Sequence, residues 1–479
     1  MQGADITLLP SAVINTILHD YPPSLRFMGS TLALYHNTDE LHVRLSCRAM
    51  RDAYDKGCTG LRIPDAFAHP RHLLRRIQRC SPNLHSLIVS IWRTYHPPHI
   101  LWCQVLHAAP LLTSLVIHSG SPDLLCIAIG CPLLQHLNIS RCDVDSIAPL
   151  QTCAHLKTLD ITSCLAIHDL SPLHRFPAIT DLIAPGIGGA TFHGSDIHVN
   201  VNVNTFIRRH NPFFFISSLA LLPHHCTSLR RLCLRSAGLV VGPGKPDPLL
   251  SLKGCSALTD IDLAFTRISD VTALGAFTTL EHLDFSNTFV KDLTPLSSCT
   301  ALRDLCFSSS MVHNVGALQA CTALTRLEFE RTFVEDLTPL SSCTALQRLC
   351  IGYSRALSVD ALQACTALTR LDIDHTDVKA LPPLAACTAL VQLDISFNYV
   401  DCLKPLASCL RLQHLDMAET EVTDMAPLGA CTALKSLNLT RCSGVYDLTC
   451  LAACTALTRI VAHKRVALCT QHTSSRSFT

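Results

Sequence analysis

The sequence Cys299-Thr300-Ala301-Leu302 decides the fold, because it returns along the second half of the chain at a fixed spacing. The same four letters begin again at Cys321, Cys343, Cys365, Cys387, Cys431 and Cys454. The leucines that close these copies and their looser relatives lie 22 residues apart from Leu258 to Leu434, and Leu457 follows after 23. A fixed period of this length indicates an array of stacked repeats.

Each period combines a short alternation with a later run of spaced apolar residues. One copy reads Leu283-x-Phe285 and then Val290-x-x-Leu293-x-x-Leu296. The alternation fits a short strand with one buried face, and the later residues point inward from the returning side of the coil. Each coil is too small to have its own core, so stacking must bury these side chains between neighbouring coils.

This pattern resembles the leucine-rich repeat template. The resemblance implies an α/β fold, a leucine-rich repeat solenoid. Its curved parallel β-sheet would form the concave face, short helical or extended turns the convex face, and a small helical cap the N-terminus. The array should run from about Leu84 to Ile460. We predict five segments: residues 1–65, a helical F-box-like or capping region; 66–184, a first repeat block; 185–225, an insertion; 226–462, the regular 22-residue block; and 463–479, a flexible tail.

Two recurring features are expected to hold each coil in shape. Proline follows a small residue on the returning side, as in Thr294-Pro295 and Thr338-Pro339, and should begin a short helical turn. Hydroxyl residues such as Thr288 and Thr376, with Asn398, follow the strand, and we expect them to hydrogen-bond the neighbouring backbone.

The composition limits the kinds of partner and the location. Net charge is +1, which argues against coating of nucleic acid or anionic membrane by charge alone. No stretch approaches the roughly 18 apolar residues of a membrane helix, and the first residues lack the features of a secretory signal. We therefore expect a protein of the cytoplasm or nucleus, without membrane or nucleic-acid partners and monomeric on its own.

The 26 cysteines recur mainly at one position of the repeat. Free cysteine behaves as a small buried hydrophobe, and no CxxC pair has a matching second pair. We therefore expect buried thiols in a reducing compartment, with no disulfide framework, no metal site and no cofactor.

The N-terminus resembles an F-box, in which Leu-Pro opens an apolar helix and a Val-Cys-Arg-like run closes the module. The matching positions are Leu9, Pro10, Ile14, Ile17, Leu18, Leu45, Cys47 and Arg48. The resemblance implies that Leu9, Pro10, Ile14 and Ile17 dock the adaptor of a ubiquitin ligase. The alternative is a helical cap that covers the first open coil.

Side chains between the strand leucines should face the concave side, because successive strand residues alternate between faces. One column there contains three consecutive arginines, a second is mostly acidic, and a third, at the strand exit, contains aromatic residues. Exposed aromatics beside arginines are typical of interface hot spots. The predicted partner-binding residues are Arg326, Glu328, Arg331, Arg348, Tyr353, Arg370, Asp372, His375 and Phe397. The alternative is a self-neutralising charged surface that keeps a long sheet soluble.

No motif calls for an enzyme, since the chain has no G-x-S-x-G elbow and its Gly238–Lys245 loop does not fit a phosphate-binding loop. We predict a non-enzymatic protein–protein interaction scaffold, with no catalytic residues. The F-box resemblance implies a substrate-recognition subunit of a cullin-type ubiquitin ligase. The alternative is a regulatory subunit of an intracellular enzyme such as a phosphatase, because the Leu-Thr-Pro-Leu return resembles that intracellular repeat class and the bacterial internalins. An extracellular receptor or adhesin would require a secretion route.

Overall fold

The computed structural model describes residues 59–63, 77–78, 80, 83–90, 106–118, 120–167, 169–186, 227–239, 248–462 and 477–478. The chain divides into two compact units, Met1–Val240 and Val241–Thr479. The predicted adaptor-binding residues Leu9, Pro10, Ile14 and Ile17 lie outside the described residues, as does nearly all of the predicted insertion.

The described part of the first unit is a stack of parallel strands with coils of unequal length. Its strands are β1 (Gly60–Ile63), β2 (Ser86–Ser90), β3 (Ser114–His118), β4 (His136–Asn138), β5 (Thr158–Asp160), β6 (Asp181–Ile183) and β7 (Arg231–Cys233). Each strand pairs in parallel with the next along the chain. On the returning side lie an α-helix, Leu124–Gly130, capped by the Asp123 side chain, and two 3₁₀ helices, Ala148–Thr152 and Ser171–Arg175.

The second unit is the regular block that the 22-residue period predicts. Its strands are β8 (Asp260–Asp262), β9 (His282–Asp284), β10 (Asp304–Cys306), β11 (Arg326–Glu328), β12 (Arg348–Cys350), β13 (Arg370–Asp372), β14 (Gln392–Asp394), β15 (His414–Asp416), β16 (Ser436–Leu439), β17 (Arg459–Ala462) and β18 (Ser477–Phe478). Successive strands pair in parallel without a register shift, so equivalent residues of neighbouring coils lie side by side.

Short 3₁₀ helices bring the chain back in the second unit. They span Pro248–Gly254, Thr272–Ala276, Thr294–Ser298, Gly316–Ala320, Thr338–Ser342, Asp360–Ala364, Pro382–Ala386, Lys404–Ser408, Ala426–Ala430 and Thr449–Ala453. Proline occupies the first turn of several of them, where its missing N–H costs no hydrogen bond, so the predicted role of the Thr-Pro pairs is confirmed.

The core of the second unit consists of columns of equivalent side chains. Phe285, Phe307 and Phe329 stack with ring centroids 5.6 and 5.1 Å apart and are fully buried. The repeated cysteines form a second column, called the cysteine column, which consists of Cys299, Cys321, Cys343, Cys365, Cys387, Cys409 and Cys431. Each of these thiols donates to a backbone carbonyl of the preceding coil, as Cys299 does to Leu274 O at 3.4 Å. The prediction of buried thiols at one structural position is confirmed.

The hydroxyl residues after the strands hydrogen-bond the backbone as expected, and the carbonyls that accept from them lie in the same coil. Thr288 Oγ1 donates to Phe285 O and Thr376 Oγ1 to Ile373 O, both three residues earlier in the same coil. The longer Asn398 amide does reach the preceding coil, where Nδ2 donates to Ile373 O at 2.7 Å. The bend is therefore held mainly within each coil.

Three expectations differ from the structure. The sheet already includes β1, although residues 1–65 were expected to be helical. At the other end, β18 lies within the tail that was expected to be flexible, yet it pairs with β17 of the sheet. Cys126 is disulfide-bonded, in contrast to the free thiols expected throughout.

No helix in the described part of the chain is both long enough and apolar enough to cross a bilayer.

Candidate partner-binding face

The strands of the second unit present two columns of side chains on one face. In β11, Arg326 and Glu328 are accessible while Leu327 between them is buried, and β12 to β15 repeat this arrangement with Cys350 as the buried exception. Period two therefore places the predicted arginine column and the mostly acidic column on the same side, here called the strand face. The sequence prediction of these columns is confirmed.

A third column begins where each strand ends, and its backbone conformation is unusual. The residue at this position has a left-handed conformation in every regular coil, with φ of 55° at Arg331, 56° at Tyr353, 51° at His375 and 56° at Phe397. Each of these residues donates its N–H to the next coil, as Tyr353 does to Asp374 O at 2.8 Å. The ladder of backbone hydrogen bonds thus offsets the cost of a left-handed turn without glycine.

The four side chains of this column form one continuous stack, the exit stack, composed of Arg331, Tyr353, His375 and Phe397. The Arg331 guanidinium lies 4.6 Å from the centre of the Tyr353 ring. The rings of Tyr353 and His375 are 4.0 Å apart, and those of His375 and Phe397 are 3.9 Å apart, with interplanar angles of 11° and 18°. Tyr353 and Phe397 remain 44% and 41% exposed.

Two polar contacts hold the middle of the stack in place. His375 Nδ1 lies 2.9 Å from Asp374 Oδ2, and His375 Nε2 lies 3.3 Å from the Tyr353 hydroxyl. The imidazole is therefore fixed both by its neighbours above and below and by hydrogen bonds at its two nitrogens. The exit stack is an ordered, accessible, aromatic surface next to cationic groups.

The arginine column lies beside the stack on β11, β12 and β13. Arg326 and Arg370 each have an acidic partner, since Arg326 Nη2 is 2.7 Å from Asp304 Oδ2 and Arg370 Nη2 is 3.7 Å from Asp372 Oδ2. Arg348, between them in register, has no salt bridge with the described residues. Arg348 is thus an accessible cation with its charge available to a partner.

The acidic groups of the strand face crowd one another. Burial raises the pKa of Asp372 to about 7, and the carboxylates of Asp394 and Asp374 contribute to the same shift. Burial also raises the pKa of Asp394 and of Glu330. The negative charge on this part of the face is therefore concentrated and poorly hydrated. A pocket of about 230 Å³ adjoins it between β13 and β16, with Asp372, Asp394 and Asp416 among its lining residues.

The structure brings all nine predicted partner-binding residues onto adjacent strands or strand exits. It unites Arg331, Tyr353, His375 and Phe397 in one stack and Arg326, Arg348 and Arg370 in one column. Glu328 and Asp372 lie in the acidic column on either side of Cys350. The sequence prediction missed Glu330 and Asp374, which lie two residues beyond the strands. Their shared position in the 22-residue period was the available signal.

Neither a protein-family model nor a curated protein sequence matches the chain. Solved structures do match it. The internalin InlF of Listeria monocytogenes matches with a TM-score of 0.55 and 20% identity, over 75% of this chain and 88% of that chain. The leucine-rich repeat protein LIC12759 of Leptospira interrogans matches with a TM-score of 0.62 and 14% identity, over 83% of this chain and all of that chain (100%). These similarities establish the fold, so the predicted leucine-rich repeat solenoid is confirmed.

Proposed function

We propose that this chain is a non-enzymatic recognition scaffold that binds a protein or peptide partner on the strand face of its second unit. The observation that carries the proposal is the exit stack, in which one arginine and three aromatic rings lie 3.9 to 4.6 Å apart while Tyr353 and Phe397 stay more than two-fifths exposed. Tyrosine and arginine are enriched among the residues that dominate interface energetics.

The geometry favours tight binding because the stack is already ordered before a partner arrives. Immobilising a rotamer-rich side chain at an interface costs about 0.5–1.5 kcal/mol, and stacked side chains have lost much of that freedom in advance. Arg348 adds a cation that can pair with a carboxylate in two parallel hydrogen bonds. We infer that the partner supplies an apolar or aromatic segment flanked by an acidic group.

The proposal is tested by capturing partners from a cell lysate with the full chain and with the double variant Arg348→Ala/Tyr353→Ala. Removal of two hot-spot residues should reduce the amount of a specific partner by at least about 30-fold, corresponding to 2 kcal/mol or more. The matched control is Tyr399→Ala/Arg411→Ala, which removes an exposed tyrosine and an exposed arginine outside the exit stack.

The circular dichroism spectra of both variants should equal that of the parent chain, since the altered side chains are exposed. Equal capture of every partner by the parent chain and by Arg348→Ala/Tyr353→Ala would show that the exit stack does not bind. If only the control variant Tyr399→Ala/Arg411→Ala loses the partner, the binding site lies outside the exit stack.

A more specific proposal is that the chain recognises substrates for a cullin-type ubiquitin ligase, in the cytoplasm or nucleus. Its support is the F-box-like sequence of residues 1–65. The test is binding of the ligase adaptor to the full chain and to its Pro10→Ala/Ile14→Asp variant. We expect binding that the variant loses. If the parent chain does not bind the adaptor, the ligase role is wrong, and regulation of an enzyme bound at the strand face takes its place.

A further inference from the structure

Three potential metal ligands from successive coils meet at the edge of the strand face. Cys350 ends β12, Asp372 ends β13, and Glu330 follows β11 by two residues. One ligand atom from each of them lies within 4.8 Å of the other two. The parallel register creates this meeting, because it holds residues 20 and 22 positions apart in the chain next to each other.

Two atoms of this cluster, Cys350 Sγ and Asp372 Oδ1, are buried without a hydrogen-bond partner among the described residues. Cys350 is only 5% exposed, and no hydrogen bond joins its thiol to a described residue. Asp372 Oδ1 is also buried without a hydrogen-bond partner. Burial of polar atoms without partners is unfavourable, so the cluster has unused capacity for a ligand.

A cysteine at the same strand position two coils earlier shows that this lack of partners is specific. Cys306 Sγ lies 2.9 Å from Ser286 Oγ, and the same thiol donates to Glu328 Oε2 at 3.8 Å. Carboxylates lie near both cysteines, but of the two thiols only that of Cys350 has no hydrogen bond with a described residue. The difference between the two sites comes from their neighbours and not from the fold, because β10 and β12 have the same geometry.

Gly352 leaves space for the Asp374 carboxylate. A Cβ atom at this position would lie 1.9 Å from Asp374 Oδ1, so any larger residue would displace that carboxylate. Burial raises the pKa of Glu330 and Asp374 adds to that shift, as it does for Asp372, so a fourth acidic group lies next to the three ligands.

We propose that Glu330, Cys350 and Asp372 bind one divalent transition-metal ion, with Zn²⁺ as the best fit and Asp374 as a neighbouring oxygen donor. This site goes beyond the proposed partner binding. Zn²⁺ accepts both thiolate and carboxylate ligands, whereas Mg²⁺ and Ca²⁺ bind through oxygen alone. The ion would displace the thiol proton and compensate the crowded negative charge, so its uptake releases protons.

The test uses the full chain, stripped of metal and kept reduced. Titration with Co²⁺ should produce the charge-transfer absorption of a cobalt–thiolate bond, and Zn²⁺ should abolish this absorption at one equivalent. Cys350→Ser should remove the absorption. Glu330→Gln and Asp372→Asn should each weaken Zn²⁺ binding by at least about tenfold, measured by equilibrium dialysis. Asp372→Asn preserves the shape of the side chain and guards against a loss of folding, which circular dichroism checks.

Cys306→Ser is the matched control, because it removes a thiol from the equivalent strand position and should leave the cobalt spectrum and the Zn²⁺ affinity unchanged. A cobalt–thiolate absorption that persists in Cys350→Ser would overturn the proposal, as would its absence from the parent chain. Unchanged Zn²⁺ affinity in both Glu330→Gln and Asp372→Asn would overturn the proposed ligand set.

Discussion

The cysteine column and the strand-exit column recur with the same period in the second unit, yet they differ in side-chain identity and in burial. All seven members of the cysteine column are the same residue, and each is fully buried. The exit column changes from coil to coil, and its members are Phe265, Asn287, Ser309, Arg331, Tyr353, His375, Phe397, Glu419 and Arg441.

The backbone is equally regular in both columns, so regularity of the chain does not explain the difference. Each cysteine follows a 3₁₀ helix with φ between −90° and −83°, and each exit residue has φ between 51° and 59°. Packing against the neighbouring coil restricts the identity of the side chain in the cysteine column only. The repeat therefore determines the exit conformation while it leaves the exit side chain available for recognition.

The largest expected effect is loss of stability at alkaline pH, to which the cysteine column contributes and the strand-exit column does not. Burial raises the pKa of Cys343 and Cys409 to about 12, and of Cys321, Cys365 and Cys387 to about 11, from an ordinary value of 9.0. A thiol whose pKa is higher in the folded state contributes stability below pH 9.0, and this contribution falls as the pH rises toward 11 or 12. Each such thiol should lower the free energy of unfolding by about 1.4 kcal/mol per pH unit between its unfolded and folded pKa values.

Urea unfolding of the reduced chain at pH 8, 9 and 10 measures this effect. The free energy of unfolding should fall by about 1 kcal/mol for each contributing thiol between pH 9 and pH 10, and several thiols contribute together. A variant with Cys343, Cys365 and Cys387 replaced by alanine should show a smaller slope with pH. Equal slopes in the two proteins would mean that the column is not the cause.

The next largest effect comes from a charged side chain, which should destabilise the protein in the cysteine column but not in the strand-exit column. Cys365→Asp introduces a carboxyl group into a fully buried position, and we expect a loss of about 4 kcal/mol or more. Tyr353→Asp places the same group at an exposed exit position, where we expect a change within about 1 kcal/mol. Urea midpoints measure both. A comparable loss in the two variants would contradict the claim that packing restricts only the cysteine column.

The change from an exposed strand-exit position to a buried, packed position occurs between two consecutive residues, Phe397 and Asn398. Asn398 is 2% exposed; its amide donates to Ile373 O and accepts from Thr376 Oγ1. Asn398→Ala should therefore cost about 1–3 kcal/mol by leaving buried groups without partners. Phe397→Ala should change stability by less than about 1 kcal/mol, although it shortens the exit stack. Asn398→Thr, which copies the residue of the neighbouring coils, should recover part of the loss. Equal losses for both alanine variants would place the boundary elsewhere.

The sequence predicts those features of the fold and of the candidate site that follow directly from the repeat period. Leu327 and Phe329 alternate inward in β11 and after it, so the strand, its buried face and the outward columns all follow from a spacing of two. The period also aligned Arg326, Arg348 and Arg370 before any coordinates. These features depend on local geometry repeated without change.

The remaining features depend on how unlike side chains meet across coils. No spacing indicates that the Tyr353 and His375 rings stack, because that requires the left-handed turn and the hydrogen bond of each exit residue to the next coil. The meeting of Cys350 with Glu330 likewise depends on how side chains of different coils approach one another. A pattern search that aligns coils by hydrophobicity assigns these positions to variable surface and passes over them.

The smallest expected effect tests the exit conformation itself, without any contribution from stacking. Asn287 is exposed at a φ of 55°, and asparagine tolerates this region better than most residues. Asn287→Val places a β-branched side chain there and should cost about 1–2 kcal/mol. Asn287→Gly should be close to neutral, because glycine adopts this conformation freely but loses more entropy on folding. The two variants remove the same exposed amide, so a difference between their urea midpoints reports the backbone alone. Equal midpoints would mean that the coil can relax at its exit, and the ordered stack from Arg331 to Phe397 would then need its own side-chain contacts to persist.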